Sequence, residues 1–495
     1  MHYPSGRSGA GRGSTRRPGR PLEWLPAIPT LVIVDAAVVL LVVRGVGINM
    51  LAVLVATPIV VGCIMALVQR PQRGVLLVAA LVPFNGLLLI ARLPSAISAW
   101  KETLVVATLL ASFCSPAEAR GPSHRPLPGW AVPLTAFFGL ALMSGVYVGG
   151  VTAIVALKIG FFYVILALIV WLCPLSDLER DRLVTIIMVT AVVTALIGIV
   201  QQIAGPEWLH ALGWEWNTTI RFAGSNLRSF STFNQPFPFG MFLMFALLVA
   251  LPVSLAESRR LRNRLFLWST PVLLIALATT IVRGAYMGLA AGLLFLGLRR
   301  RKYWVLVAPL PLALAAMLLL PKNLVATALS SSSGQQRVTQ WSEWIPRLLS
   351  HPFGAGIGAT GSAAEKASRI AGTTAAQIQP DNYFYKTIYE LGVIGLWTFV
   401  VFLVVAFLST YRAGDYLKGR DALLADGVAA SIVAATTACF VATYFEIFPM
   451  DVYFWLLLGV VAECGTRSDS TRQPSVRTEQ ESQPTFANCS TPSPV

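Results

Sequence analysis

The stretch LVTIIMVTAVVTALIGIV (183–200) contains no charged residue and is apolar apart from its threonines. A helix of about 20 apolar residues crosses the hydrocarbon core of a bilayer, and slightly shorter runs still reach. The strands of a membrane barrel would alternate apolar and polar residues instead. Since spanning structures are either helical bundles or closed barrels, the stretch predicts a membrane helix within a bundle.

The whole composition agrees with many such helices. Of 495 residues, 55% are hydrophobic and only 12% are charged, against roughly 25% charged in a soluble globular domain. We therefore predict an all-α fold, a polytopic membrane helix bundle of about 12–14 spans with a large extracytoplasmic loop that contains short helices. The least certain division is between two neighbouring runs, 266–281 and 284–298. The apolar runs centre near 28–43, 50–68, 74–91, 101–114, 130–148, 153–173, 183–203, 238–256, 266–281, 284–298, 303–320, 391–410, 427–445 and 450–464.

The net charge of +15 predicts the orientation of these helices. Cytoplasmic connections of membrane proteins carry an excess of Lys and Arg. With the N-terminus inside, 25 of the 38 Lys and Arg residues fall in the tails and in alternate connections. We therefore expect both termini in the cytoplasm and no nucleic-acid partner. The predicted cytoplasmic connections are 69–73, 115–129, 174–182, 257–264, 299–302 and 411–421.

The order of apolar runs and basic connections divides the chain into regions. Two long connections, about 204–237 and about 321–388, fall on the outer side, and long loops are commonly functional. Six cysteines without C-x-x-C spacing are typical of small apolar fillers. The predicted regions are a disordered basic cytoplasmic tail (1–25), a membrane bundle (26–320), the large extracytoplasmic loop with catalytic segments (321–388), C-terminal membrane helices (389–464) and a disordered cytoplasmic tail (465–495).

Arginines and glycines gather in the predicted outer connections. RFAGSNLRSFSTFNQPFPFG (221–240) contains Arg221 and Arg228, and TTIVRGAYMG (279–288) contains Arg283. GQQRVTQWSEWIPRLLSHPFGAGIGATG (334–361) contains Arg337 and His351. A single arginine at a membrane boundary commonly extends to the lipid headgroups. Several arginines beside glycine-rich backbone favour an anion, because guanidinium groups bind phosphate oxygens in a fork and glycine turns can direct backbone N–H groups at it.

The next stretch, QPDNYFYKTIYELGVIGLW (379–397), leads from the outer loop into a span. Tyr383 and Tyr385 suit a membrane interface and can stack on sugar rings. Asp381, Asn382 and Glu390 offer groups that bind hydroxyls. The alternative is an ordinary aromatic belt with an Asp helix cap.

These segments resemble the O-antigen ligase/polymerase family of bacterial cell-envelope enzymes. LRSFSTFNQPFPFG, IVRGAYMGLAAG, RVTQWSEWIPRLLSHPFGAGIG and DNYFYKTIYELGVIG occur in the family's order, over roughly 220–400. In the last segment Asn382, Gly392 and Gly395 are in register with the ligase pattern. Val282 replaces the family's Ser, and Asp381 replaces the His that heads the last motif. That second change weakens the ligase assignment more than the polymerase one.

The resemblance implies a glycosyltransferase that uses a polyprenyl-pyrophosphate-linked glycan as donor and a hydroxyl as acceptor. Arg228, Arg283 and Arg337 would hold the pyrophosphate, and Asp381 would orient or deprotonate the acceptor hydroxyl. The substrate-binding set would be Arg221, His351, Asn382, Tyr383, Tyr385 and Glu390. We expect a multi-pass protein of the bacterial plasma membrane, without a metal or other cofactor, whose partners are the lipid-linked glycan, membrane lipids and other polysaccharide assembly proteins.

Two other function classes fit the same hydropathy. A lipid-linked oligosaccharide flippase has a similar number of spans, although such transporters have short loops and keep charges inside the bundle. A scaffold or accessory subunit of an envelope complex would bind glycan without turnover. The 321–388 loop favours the enzyme.

Overall fold

The computed structural model describes residues 62–90, 99–121, 126–217, 219–304, 346, 348, 350–372 and 379–470. The chain divides into two units, Met1–Ala66 and Leu67–Val495, and the elements below belong to the second unit. The expectations for the N-terminal tail, the first apolar run and Arg337 lie outside the described residues.

The described part of the chain is helical apart from one small hairpin, which confirms the all-α prediction. The hairpin pairs two three-residue strands in antiparallel register. The last helix extends to Ser470, past the predicted boundary at 464. The elements are α1 (Pro71–Leu81), α2 (Trp100–Cys114), α3 (Ala131–Val148), α4 (Gly150–Phe161), α5 (Val164–Leu172), α6 (Asp177–Ala211), β1 (Arg221–Ala223), β2 (Asn226–Arg228), α7 (Pro236–Ala256), α8 (Leu261–Thr280), α9 (Arg283–Arg299), α10 (Gly361–Ala371), α11 (Tyr383–Tyr416), α12 (Gly419–Ala438) and α13 (Met450–Ser470), with 3-10 turns at Val82–Leu89, Ala117–Ala119, Arg301–Tyr303 and Tyr444–Glu446.

Within the described residues, six helical stretches are long and apolar enough to cross a membrane. The helices α4 and α5 are bent by 53° relative to each other and add a seventh if they form one span. The count of 12–14 refers to the whole chain and stays a prediction. The six are Pro71–Leu88, Ala131–Val148, Asp177–Ala211, Pro236–Ala256, Tyr383–Tyr416 and Gly419–Ala438.

The uncertain division near residue 282 is confirmed, because α8 and α9 are separate helices. Ile281 ends α8 in the left-handed conformation, with φ 52°, and Val282 is extended. A β-branched residue at positive φ is strained, so packing holds this break in place. The side chain of Val282 is buried beside the start of α7, where a Cβ at Gly240 would approach it to 3.1 Å.

The helix α7 forms the centre of the bundle and is buried along almost its whole length. It contacts α6, α8, α9 and α12. Small residues allow the closest approaches: a Cβ on Gly427 of α12 would lie 2.9 Å from the carbonyl oxygen of Leu248, and one on Gly288 of α9 would lie 3.0 Å from that of Ala434. Membrane helices commonly associate through small residues, because lipid tails compete with larger apolar side chains.

Four of the predicted cytoplasmic connections meet at one end of the bundle, here called the charged end: 174–182, 257–264, 299–302 and 411–421. Arg420 bridges two of the others, with its Nε 2.7 Å from Glu257 and its Nη1 3.0 Å from Asp181. Arg180 lies 2.7 Å from Asp421. The sequence thus grouped these connections correctly, since they contact one another directly.

A second ion-pair group at the charged end lies against the span α12. Asp426 is fully buried and accepts from Arg299 at 3.2 Å and from Arg300 at 2.5 Å. Arg299 also reaches Asp415, whose side chain is 61% exposed. Because acids neutralise these arginines locally, this end of the bundle is bound together by charge as well as by apolar packing.

Candidate active site

The opposite end of the bundle, here called the hairpin end, carries three of the predicted arginines. Arg221 on β1 is the register partner of Arg228 on β2. The Nε of Arg228 donates to the carbonyl oxygen of Thr280 at 3.0 Å, and the next amide, of Ser229, donates to Thr279 at 3.0 Å. These bonds fix the hairpin to the last turn of α8, whose carbonyls have no partner within that helix.

Arg283 is the first residue of α9, immediately after the break. Burial, then repulsion by Arg221 and by Arg283, lowers the pKa of Arg228. An arginine keeps its charge despite such a shift. The described structure therefore brings Arg221, Arg228 and Arg283 together, and like charges gathered in this way fit an anionic ligand.

Two glutamines that the sequence analysis did not single out hold this hairpin. Gln202 donates to the carbonyl of Leu227 and to Ser229 Oγ, both at 2.8 Å. The neighbouring Gln201 accepts from the amide of Ser231 at 2.7 Å and donates to its carbonyl at 2.8 Å. The sequence does contain a sign of this role: Gln201 and Gln202 are adjacent polar residues at the end of an otherwise apolar run. Polar side chains inside a membrane helix are costly unless they are hydrogen-bonded, so such a pair indicates bonding partners nearby.

The glycine-rich segment HPFGAGIG (351–358) packs directly on the backbone of α11. The amide of Ala355 donates to the carbonyl of Tyr389 at 2.7 Å, and that of Gly356 to Glu390 at 3.1 Å. A Cβ on Gly354 would collide with the carbonyl of Glu390. These two amides bind protein atoms and are therefore not directed at an anion.

The helix α11 is broken where this segment touches it. Gly392 has φ 68° and ψ −171°, and a Cβ there would lie 2.7 Å from backbone atoms of residues 352–353. Only glycine adopts this backbone region routinely. The residues 383–391 therefore form a short helix of their own, held between its N-cap and the break.

The predicted acceptor-binding residues at the N-terminus of α11 are of two kinds: some cap or pack the helix, and others are more exposed. The side chain of Asn382 is the N-cap and accepts from the amides of Phe384, at 2.8 Å, and of Tyr385, at 3.1 Å. Tyr383 is buried, with its ring 5.0 Å from that of Phe399. Asn382 and Tyr383 thus build the fold, whereas Asp381 is exposed and Tyr385 is half-buried.

Glu390 and His351 occupy contrasting positions. Glu390 is buried, and its Oε1 accepts from the amide and hydroxyl of Thr360 at 3.0 and 2.8 Å. His351 is exposed, with its ring 5.8 Å from that of Tyr389. Of this pair, His351 alone is exposed.

The arginines and Asp381 lie at the same end of the bundle because α9 and α11 begin against one turn. This turn follows α12. A Cβ on Gly284 would lie 3.0 Å from Val441, and the amide of Tyr383 donates to the carbonyl of Cys439 at 2.8 Å. The ring of Phe440 is 4.8 Å from that of Phe384. Among the described residues, no group of three or more His, Cys, Asp or Glu side chains could hold a metal ion.

A multi-pass membrane protein with clustered arginines and an exposed carboxylate at one end fits an enzyme that handles an anionic, membrane-bound substrate. Residues 265–400 match the family described as O-antigen ligase. The matched segment includes Arg283, the glycine-rich segment and the start of α11. The chain matches none of the curated proteins with which it was compared. The match indicates a ligase- or polymerase-type enzyme of cell-envelope glycan assembly.

Proposed function

We propose that the protein transfers or polymerises glycan from a polyprenyl-pyrophosphate-linked donor onto an acceptor hydroxyl. The observation that carries this proposal is the cluster of Arg221, Arg228 and Arg283 at the same end of the bundle as the exposed Asp381. The acceptor would be another lipid-linked repeat in a polymerase, or a different carrier in a ligase.

The arginines would stabilise the leaving group. The bond between the anomeric carbon of the donor and the pyrophosphate oxygen breaks, and a bond from the acceptor oxygen to that carbon forms. The guanidinium groups, with Arg337 as a further proposed member, neutralise the charge that the pyrophosphate gains. If Asp381 is the base, it takes the hydroxyl proton and the departing pyrophosphate carries the additional negative charge. If Asp381 only orients the hydroxyl, the departing pyrophosphate takes the proton itself.

An apolar groove supports a lipid-linked donor. The groove lies between α11 and α12 and has a volume of about 550 Å³. Phe384 and Phe440 line it at the hairpin end, and Phe407 and Ile432 line it deeper in the bundle. A hydrocarbon chain in this groove would remain at membrane depth while its pyrophosphate reached the hairpin end.

The test is the extension of a synthetic polyprenyl-pyrophosphate disaccharide by the purified protein. Arg228→Ala and Arg283→Ala should abolish extension, and Arg→Lys should impair it, because Lys keeps the charge but loses the fork. Arg259→Ala, at the charged end, is the matched control and should remain active. Full activity in both alanine variants would reduce these arginines to lipid anchors. Movement of the labelled lipid across vesicles without extension would favour the flippase.

A further inference from the structure

Lys386 joins two carboxylates from separate parts of the chain. Its Nζ lies 2.5 Å from Glu390 Oε1, one turn along α11, and 3.1 Å from Glu446 Oε1, in the turn between α12 and α13. The three side chains are only 3%, 6% and 9% exposed. The sequence analysis identified only Glu390 among them, and it assigned that residue to the substrate.

The loop that follows the glycine-rich segment completes this charged group. Thr360 donates to Glu390 through its amide and its hydroxyl, and its carbonyl lies 3.5 Å from the Nζ of Lys386. Ser362 Oγ donates to Glu446 Oε2 at 3.3 Å. Three segments of the chain, around residues 360, 386 and 446, therefore converge on one ammonium group.

The charges explain why these segments depend on each other. Two carboxylates surround one ammonium, and an unbalanced or unsolvated buried charge is costly. The donors from Thr360 and Ser362 replace the water that the carboxylates lose. A cavity of about 30 Å³ beside the three side chains has room for a single water. Withdrawing the loop would leave two buried carboxylates to share the single ammonium of Lys386 without the donors of Thr360 and Ser362. Loop and helix therefore hold one arrangement together.

The bridge acts on the short helix 383–391 that begins directly after Asp381 and Asn382. The N-cap and the break at Gly392 hold its two ends, and Lys386 fixes its middle. Resting on the proposed function, we propose that Lys386, through its bridge to Glu390 and Glu446, is a positioning residue that holds this helix so that Asp381 meets the acceptor hydroxyl. A misplacement of about 1 Å can cost about 100-fold in rate.

The experiment separates positioning from donor binding. Glu446→Gln keeps the shape of the side chain and removes its charge. We expect kcat for extension of the disaccharide to fall at least tenfold, while the Kd for polyprenyl pyrophosphate in nanodiscs stays within about twofold. The exchange variant Lys386→Glu/Glu446→Lys again gives two carboxylates and one ammonium and should recover most of the lost turnover. Glu365→Gln, in an exposed pair with Arg369, is the control and should match wild type.

Two results would overturn the inference. One is wild-type turnover in Glu446→Gln and Lys386→Met. The other is that Glu446→Gln loses donor binding and thermal stability in proportion to its loss of turnover, and that the exchange variant recovers none of them. The bridge would then only maintain the fold. Failure of the proposed function itself would be distinct: the wild type would not extend the disaccharide, or Arg228→Ala would bind polyprenyl pyrophosphate normally.

Discussion

Asp381 is exposed and lies just before the N-terminus of α11. The N-cap of this helix is the next residue, Asn382. The helix therefore does not need Asp381 as its cap. Asp381 is exposed at the end of the bundle that carries the arginines, which is where the proposed acceptor would meet the donor.

A general base contributes typically 10²–10⁴-fold to a rate. If Asp381 is the base, Asp381→Asn should reduce extension of the lipid-linked disaccharide by about that factor, since the amide cannot take the proton. Activity near wild type in both Asp381→Asn and Asp381→Ala would remove Asp381 from the mechanism. The cap of α11 should persist in both variants, because the capping side chain is that of Asn382.

The variant Asp381→His restores the family pattern and tests the same role by its pH dependence. A base acts only when it is deprotonated, so activity falls as pH drops below its pKa. With an imidazole, whose ordinary pKa is about 6.5, this acidic fall should occur at higher pH than in the wild type. The measurement is the rate of extension between about pH 4.5 and pH 9. An unchanged profile would mean that residue 381 does not exchange the proton.

At the scale of elements, the break in α11 and the glycine-rich segment form one unit. Hydropathy predicted the span 391–410, and the family resemblance implied that the arginines share a site. Neither could predict that Glu390 is buried against Thr360 and linked through Lys386 to Glu446, because Thr360 and Glu446 lie 30 and 56 residues from Glu390 in sequence. Such pairings depend on tertiary contact, whereas apolar runs and turn glycines are visible locally.

Gly354 and Gly372 allow a matched test of this unit. Both have positive φ, 94° and 68°, but a Cβ on Gly354 would collide with the backbone of α11, whereas nothing lies within 4 Å of one on Gly372. Gly372→Ala should cost only the backbone strain, about 1 kcal/mol. Gly354→Ala should separate the segment from α11 and lower extension far more, with donor binding retained. Equal effects on extension would show that this contact does not matter.

At the scale of the whole molecule, the two ends of the bundle differ in chemistry. The charged end is bound by arginine–carboxylate pairs, and the hairpin end carries clustered arginines. Asp426→Asn should leave two arginines without their buried partner and lower the stability in detergent by about 3–5 kcal/mol. Asp415→Asn removes the exposed member of the same network and should change stability by less than about 1 kcal/mol. Thermal unfolding of both variants compares them directly.

We propose that the charged end faces the cytoplasm, as the distribution of basic residues indicates. A thiol at position 258 lies at that end, and one at position 369 lies on α10, which begins beside the start of α11 at the hairpin end. An impermeant maleimide added to intact cells should label Arg369→Cys above the background of the parent chain, and should label Ser258→Cys only after lysis. The reverse pattern would place the arginine cluster in the cytoplasm and end the proposal of a donor on the outer face.

The burial of α7 has a consequence for how the protein is made. Its partner α12 begins at Gly419, more than 160 residues after α7 ends at Ala256. During synthesis α7 must therefore enter the membrane long before its packing surface is covered. Because the helix is hydrophobic along its whole length, it is stable in the lipid before α12 is made. A nascent chain that stops before residue 419 would present this uncovered surface to insertion chaperones and membrane proteases. Premature termination should therefore produce rapid degradation and not a smaller, folded protein.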